Sequence, residues 1–148
     1  MPSNSNELPD RSHVVLPLGV FGVLASQDEF KQLRGEIVRL QGATSEDERA
    51  DIARYLRSGA IVFAIMEYTR DVVSDAFGVS GGSAINTDGT FYWRLDSADY
   101  VERYGTGLPE EFMCHGRKLK WRAPAVLPED VLRIDSYLLE HAVRLCVP

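Results

Sequence analysis

The strongest constraint on the fold of this chain is a hairpin signal in its second half. Asp88-Gly89 separates residues 83–87 from residues 90–95, two short runs that suit β-strands. An Asp-Gly pair readily adopts the positive backbone angles of a two-residue hairpin turn. The pattern therefore predicts an antiparallel hairpin with its turn at this dipeptide.

The turn also predicts which side chains share a face of the hairpin. If Thr87 faces Thr90, the alternation of side chains along each strand fixes the two faces. The first face, which we predict to be the core face, carries Ala84, Asn86, Phe91, Trp93 and Leu95. The second face, which we expect to point away from the core, carries Ser83, Ile85, Thr90, Tyr92 and Arg94.

Capping signals predict two helices before the hairpin. Ser26 with Glu29, and Ser45 with Glu48, have the spacing at which a hydroxyl and a carboxylate satisfy the free amides of a helix start. An apolar stripe at spacings of three and four follows each pair, and a glycine suited to the helix end follows each stripe. A helical hairpin is the expected result.

Further helices are predicted after the hairpin. Asp96 or Ser97 would begin one that ends at Gly105. Pro109 and Pro128 would each stand in the first turn of another, where a missing amide hydrogen costs nothing. The last of these helices carries a broad apolar face, which either closes the core or continues into a partner.

Three segments are less clearly specified. Residues 60–66, AIVFAIM, fit a strand covered on both faces, although a buried helix has the same composition. The glycine-rich residues 78–82 suggest a flexible loop, because they lack the lysine and following helix of a phosphate-binding loop. Residues 13–25 favour no single element.

These patterns predict an α+β fold: a small antiparallel sheet with a β-hairpin, packed against several helices. A chain of 148 residues suits one sizeable core, so we expect a single domain over residues 13–148. The polar residues 1–12 contain two prolines and are predicted to be a flexible N-terminal tail.

Charge and cysteine content narrow the choice of partners. The 16 basic and 22 acidic residues give a net charge of −6, which disfavours nucleic acid and anionic membranes as partners. The N-terminus has no leader-like pattern and no apolar run approaches the length of a membrane span, so a cytoplasmic location is expected. Two cysteines, Cys114 and Cys146, do not make a disulfide framework and are predicted to be free.

Candidate catalytic residues are scattered along the chain. Glu111, Cys114 and His115 lie close in sequence, but successive helical side chains point in different directions and no second Cys-His pair completes a zinc site. The other histidines, His13 and His141, are far away in sequence. We therefore predict no enzymatic activity, no cofactor and no metal.

Two alternatives to this prediction remain. One is a metal-dependent hydrolase that uses clustered carboxylates, drawn from Asp88, Asp96, Asp99 and Glu111, with His115. The other is a regulatory or structural subunit that dimerises through residues 128–146.

A basic cluster after the predicted Pro109 helix is the one local reversal of charge. Arg117, Lys118, Lys120 and Arg122 surround Trp121. Such a cluster could bind an anion, but cations that follow a helix commonly complement its negative end, and a tryptophan there commonly anchors a loop. We favour the second interpretation.

The order of several motifs resembles a known group of proteins. The motifs are YLRSG (residues 55–59), TRDVV (69–73), GGSAINTDGTFYWR (81–94) and YVERYGTGLPEEF (100–112). They resemble small uncharacterised single-domain proteins of actinobacteria, which look like immunity proteins of bacterial toxin systems. The resemblance implies no enzymatic residue set, and it covers neither the N-terminal region nor the chain from residue 128 onward.

The resemblance and the charge together suggest a function. We expect a protein-binding module, an immunity protein that binds and neutralises a bacterial toxin, with a cationic toxin domain as the partner. Aromatic and arginine side chains dominate interface energetics, and surrounding charges govern approach. The predicted partner-binding residues are Asp88, Tyr92, Arg94, Asp96, Asp99, Glu102, Glu110 and Glu111.

Overall fold

The structure is a computed structural model that describes the backbone of residues 15–146 and the side chains through residue 141. The predicted tail, residues 1–12, lies outside the described residues. In chain order the first elements are β1 (Leu16–Pro17), a 3-10 turn (Gly19–Gly22), α1 (Gln27–Phe30), a second 3-10 turn (Lys31–Leu33), α2 (Arg34–Arg39) and α3 (Glu46–Arg57). The next are β2 (Ala60–Phe63), β3 (Tyr68–Arg70), β4 (Gly78–Ser80), β5 (Ile85–Thr87) and β6 (Phe91–Arg94). The last are α4 (Ser97–Tyr104), α5 (Glu110–Lys118) and α6 (Pro128–Cys146).

The predicted α+β class is confirmed. The main sheet has four strands in the order β1-β6-β5-β2. β2, β5 and β6 are antiparallel, as predicted, whereas β1 adds to β6 in parallel. β3 and β4 form a separate two-stranded antiparallel sheet. The predicted loop at residues 78–82 therefore contains a strand.

The hairpin is present, but its turn lies one residue later than predicted. Thr87 pairs with Tyr92, not with Thr90. The Asp88 amide donates to the Phe91 carbonyl at 3.3 Å, which leaves Gly89 and Thr90 at the tip. Because the register moves by two residues, the same side chains still share each face.

Both faces of the hairpin are covered, so the prediction that the second face points away from the core is wrong. Phe91 and Trp93 pack in the main core, which also contains buried residues of α3, α4 and α5. On the opposite face, Ile85 packs with Ile134 and Leu138 of α6 in a smaller cluster. The broad apolar face of α6 closes the domain on this side.

The helix starts largely follow the predicted caps. Ser26 and Glu29 form the predicted capping box. α3 begins after Ser45, but the Ser45 side chain makes no cap, and Glu48 instead accepts from Arg117 at 2.9 and 2.8 Å. No helix within residues 15–146 combines the length and apolar character needed to cross a bilayer.

The apolar run at residues 60–66 is partly a strand, as predicted, but it is not covered on both faces. β2 ends at Phe63 and lies at the edge of the main sheet. Ile61 is 62% exposed and Met66 is 101% exposed. The rest of the run, residues 64–66, continues as an irregular connection toward β3.

Candidate functional site

Asp88 is a buried residue, not a surface residue. Its Oδ1 accepts from the amides of Thr90 and Phe91 at 2.9 and 2.8 Å. Its Oδ2 accepts from the Tyr55 hydroxyl and lies 3.0 Å from His115 Nε2. Burial, together with the hydrogen bond to Asp88, raises the pKa of Tyr55. Asp88 therefore ties the hairpin turn to α3 and α5.

Arg94 and Asp96 also lie in the interior, where they form an ion pair. Arg94 Nε and Nη2 contact the two Asp96 oxygens at 3.0 and 2.9 Å, and both side chains are almost completely buried. The Thr69 hydroxyl donates to Asp96 at 3.0 Å, and the Arg94 guanidinium stacks 3.7 Å from the centre of the Phe30 ring. Neither charge is accessible to a partner.

The remaining predicted binding residues do not form one surface. Tyr92 is half-buried against the α6 cluster. Asp99 and Glu102 on α4 share an ion pair to Arg57 at 3.1 and 3.0 Å. They border one shallow depression, whereas the exposed Glu110 and Glu111 on α5 border another. The predicted binding residues are thus divided among separate places, with Arg94 buried and Tyr92 half-buried.

The acids of the hairpin region have structural partners. Burial opposes ionisation of Asp71, but hydrogen bonds from the Tyr104 hydroxyl and from the amides of Ala76, Val73 and Ser74 outweigh it and lower its pKa. Burial raises the pKa of Asp99, with Arg57 opposing the shift. Among the side chains of residues 15–141, no group of three or more His, Cys, Asp or Glu residues has the geometry to hold a metal ion.

Cys114 and His115 do not converge on one point. The Cys114 thiol is free and exposed, and its sulfur lies 3.6 Å from Glu110 Oε2. His115 is instead held by Asp88 and packs against the Phe91 ring, with centroids 5.5 Å apart. The pair of Asp88 and His115 in the hydrolase alternative does exist, but it anchors the hairpin turn between two helices.

The structure around Trp121 fits the interpretation that this tryptophan anchors a loop. Trp121 is buried and packs edge-on against Tyr55 at 5.6 Å. Arg117 is paired with Glu48. The tryptophan therefore anchors the segment after α5 to the core.

An apolar groove lies on the Trp93 side of the sheet, next to the edge strand β2. We call it the first groove; its volume is about 470 Å³, and its floor includes Ala84 and Asn86. Its walls include the exposed large side chains Ile61, Ile65, Met66 and Tyr68, which are 62%, 38%, 101% and 59% exposed. Ile61, Ile65 and Met66 were not among the predicted binding residues, because the apolar run at residues 60–66 was predicted to be covered on both faces.

A second groove lies on the α6 side of the same sheet edge. Its volume is about 540 Å³, and Phe63, Ile85 and Leu139 contribute to its lining. Ile65 and Met66 border both grooves. The signal that could have revealed this surface is the length of the apolar run, which exceeds the four residues of β2 and leaves apolar side chains outside the sheet.

Glu67 is the only ionisable side chain, apart from the tyrosine ring of Tyr68, among the described residues that line the two grooves. Its oxygens accept from the Gln27 amide at 3.2 Å and from the Ser83 hydroxyl at 2.8 Å. Within residues 15–141 it has no ion pair to a lysine or arginine. The two grooves are therefore mainly apolar, with Glu67 as their one acidic side chain.

Comparison with protein-family models, curated proteins and solved structures finds no match to this chain.

Proposed function

We propose that this protein is a non-enzymatic protein-binding module of the immunity type, which binds and neutralises a bacterial toxin in the cytoplasm. The observation that carries the proposal is the set of four exposed apolar side chains along the first groove, namely Ile61, Ile65, Met66 and Tyr68. The resemblance to actinobacterial immunity-like proteins supplies the kind of partner.

The exposed apolar side chains favour a protein partner. Soluble monomers rarely leave large contiguous apolar patches in water, and such patches commonly mark interaction sites. Methionine is common at adaptable binding surfaces because its side chain is unbranched and polarizable. Covering a side chain as exposed as Met66 gains about 1.5 to 3 kcal/mol from removal of apolar area from water.

The acidic surface has a separate role in this proposal. Glu102, Glu110 and Glu111 are exposed, and the whole chain carries a net charge of −6. Complementary charge speeds the encounter with a cationic partner even where it adds little to the final affinity. We therefore assign these acids to the attraction of a cationic toxin domain and the groove residues to the contact itself.

Co-expression with the product of the adjacent upstream reading frame tests the proposal. The wild-type protein should restore growth to cells that express this product, and the two purified proteins should form a complex. Met66→Glu should weaken the complex by about tenfold or more, because it would place a charge in an apolar contact. Leu132→Glu is the matched control, since Leu132 is also exposed, at 67%, but borders neither groove.

Two results would contradict the proposal. One is the absence of both protection and a complex with the wild-type protein. The other is equal affinity of the wild-type and Met66→Glu proteins when both are folded, which would place the contact elsewhere. Kinetic measurements on the same complex separate the role of the acids, because Glu102→Lys should slow association and leave dissociation nearly unchanged.

A further inference from the structure

The outer edge of β2 is not paired with another strand. β2 is the terminal strand of the main sheet and pairs only with β5. Among the described residues, no other backbone hydrogen bond involves residues 60–64. An edge of this kind presents a row of unpaired amides and carbonyls to which an extended chain can add.

The two edges of the main sheet differ in how they are protected. β1 has only two residues, and one of them, Pro17, has no amide hydrogen to donate. β2, with the sequence AIVF, contains neither proline nor a charged side chain. Natural proteins commonly blunt exposed edges with proline, charge or a bulge, and β2 has only a bulge, between Ile61 and Phe63. The β2 edge is therefore the less protected of the two, which points to a pairing role.

The two grooves lie where an added strand would place its side chains. Ile61 pairs with Asn86, and both line the first groove on the Trp93 side of the sheet. Phe63 pairs with Ile85, and both line the second groove on the α6 side. Ile61 and Phe63 are two residues apart, and the β-bulge between them turns their side chains to opposite faces of the sheet. Successive side chains of an added strand also point to opposite faces, so a strand next to β2 would place side chains in both grooves.

The charge of Glu67 indicates which side chain an added strand would carry. Glu67 borders both grooves and has no cationic partner within residues 15–141. A lysine or arginine on the incoming segment would supply the missing charge. Asn86 lines the first groove, and its buried Oδ1 has no hydrogen-bond partner among the described residues.

We infer that the partner contributes an extended segment that adds to the free edge of β2, with apolar side chains alternating between the two grooves and a lysine or arginine beside Glu67. This inference rests on the proposed function and names the binding mode of the same surface. Main-chain hydrogen bonds supply affinity in such complexes, and the grooves supply specificity.

A displayed library of random 12-residue linear peptides, selected on the wild-type protein, tests the inference. Selected sequences should alternate apolar residues and carry a lysine or arginine. Each selected peptide is then synthesised in two N-methylated versions, one methylated at its odd-numbered residues and the other at its even-numbered residues. Fluorescence anisotropy gives the affinity of the protein for each version. Alternate amides of a strand face the neighbouring strand, so one register should lose about tenfold or more in affinity and the other should change little.

Two further measurements locate the peptide. Hydrogen exchange should show new protection in residues 60–63 when the peptide is bound. Glu67→Gln should weaken the lysine-containing peptide about fivefold to tenfold and leave a version with norleucine in place of lysine nearly unchanged. Thermal unfolding of this variant confirms that the fold survives the loss of the charge.

Several outcomes would overturn the inference. They are failure to enrich any peptide, equal effects of the two methylation registers, protection of the amides of residues 60–63 that face away from β5 before peptide is added, and self-association of the protein through β2 in sedimentation experiments. The growth test above uses no peptide, so the two proposals fail separately. If the protein protects cells but selects no strand-like peptide, the proposed immunity function holds and the inference about β2 fails. If a peptide binds the β2 edge but the protein does not protect cells, the proposed immunity function fails.

Discussion

A single carboxylate, Asp88, connects three elements that are distant in the sequence. It accepts from two amides of the hairpin turn and from Tyr55 on α3, and it contacts His115 on α5. A buried carboxylate needs several hydrogen-bond donors to offset the loss of its contacts with water. The sequence showed the role of Asp88 in the turn, because Asp-Gly is a turn dipeptide, but not the contacts with Tyr55 and His115, which depend on tertiary packing.

At the residue scale, we predict that Asp88→Asn destabilises the protein. The amide nitrogen of asparagine would face at least one of the existing donors and leave it unsatisfied, which costs about 1 to 3 kcal/mol. Denaturant unfolding monitored by tryptophan fluorescence gives the change in free energy. The control is Asp51→Asn on α3, where the half-exposed carboxylate forms only an ion pair to the neighbouring Arg54. Equal stability of the two variants would show that Asp88 is not the connection we describe.

Arg94 shows why the predicted surface included a buried side chain. The alternation of the hairpin correctly placed Arg94 opposite Trp93, but a charged side chain on that face was taken to be exposed. Asp96, two residues later, neutralises it, and Phe30 stacks on its guanidinium. The spacing of Arg94 and Asp96 is visible in the sequence, whereas the cover supplied by Phe30 from α1 is not.

At the scale of elements, the hairpin was predictable because its signals are local. The strands, the shared faces and the glycine at the tip follow from about ten residues of sequence. The exact turn did not follow, because the Asp88 side chain bonds the amides of Thr90 and Phe91 and moves the tip forward by one residue. Local side-chain hydrogen bonds of this kind compete with the simplest turn assignment.

A substitution of Gly89 tests the backbone geometry of the hairpin tip. Its φ is +94°, a conformation that β-branched residues rarely adopt. We predict that Gly89→Val lowers the free energy of unfolding by about 1 to 3 kcal/mol. Gly35→Ala is a suitable control, since Gly35 lies in α2 with open space around the site of an added methyl group. A Gly89→Val protein with an unchanged denaturation midpoint would contradict the described turn.

At the scale of the whole molecule, the sheet is covered by different helices on its two faces. The core on the Trp93 side contains residues from α3, α4 and α5, and α6 covers the other side. The apolar face of α6 predicted a helix that either closes the core or continues into a partner. Its docking site could not be read from the chain, because Ile134 and Ile85 are far apart in sequence. The same limit explains the surface at β2, where the order of strands decides which apolar residues remain in water.

Substitutions of two adjacent leucines on α6 distinguish a role of this helix in the domain core from the alternative of dimerisation through residues 128–146. Leu138 is 1% exposed in the smaller cluster, whereas Leu139 is 52% exposed. We predict that Leu138→Ala lowers the free energy of unfolding by about 2 to 4 kcal/mol, because it removes a buried side chain and leaves a cavity. Leu139→Ala should cost well under about 1 kcal/mol, as expected for an exposed position.

Sedimentation equilibrium on the same two variants gives a second readout. If α6 only closes the domain, neither variant changes the oligomeric state under native conditions. A dimer through α6 would bury Leu139 and also Leu132, which is 67% exposed. Dissociation of a wild-type dimer by Leu139→Ala would therefore show that the outer face of α6 is an interface between copies of the chain. Unequal stabilities together with an unchanged monomer would assign this helix to the domain core alone.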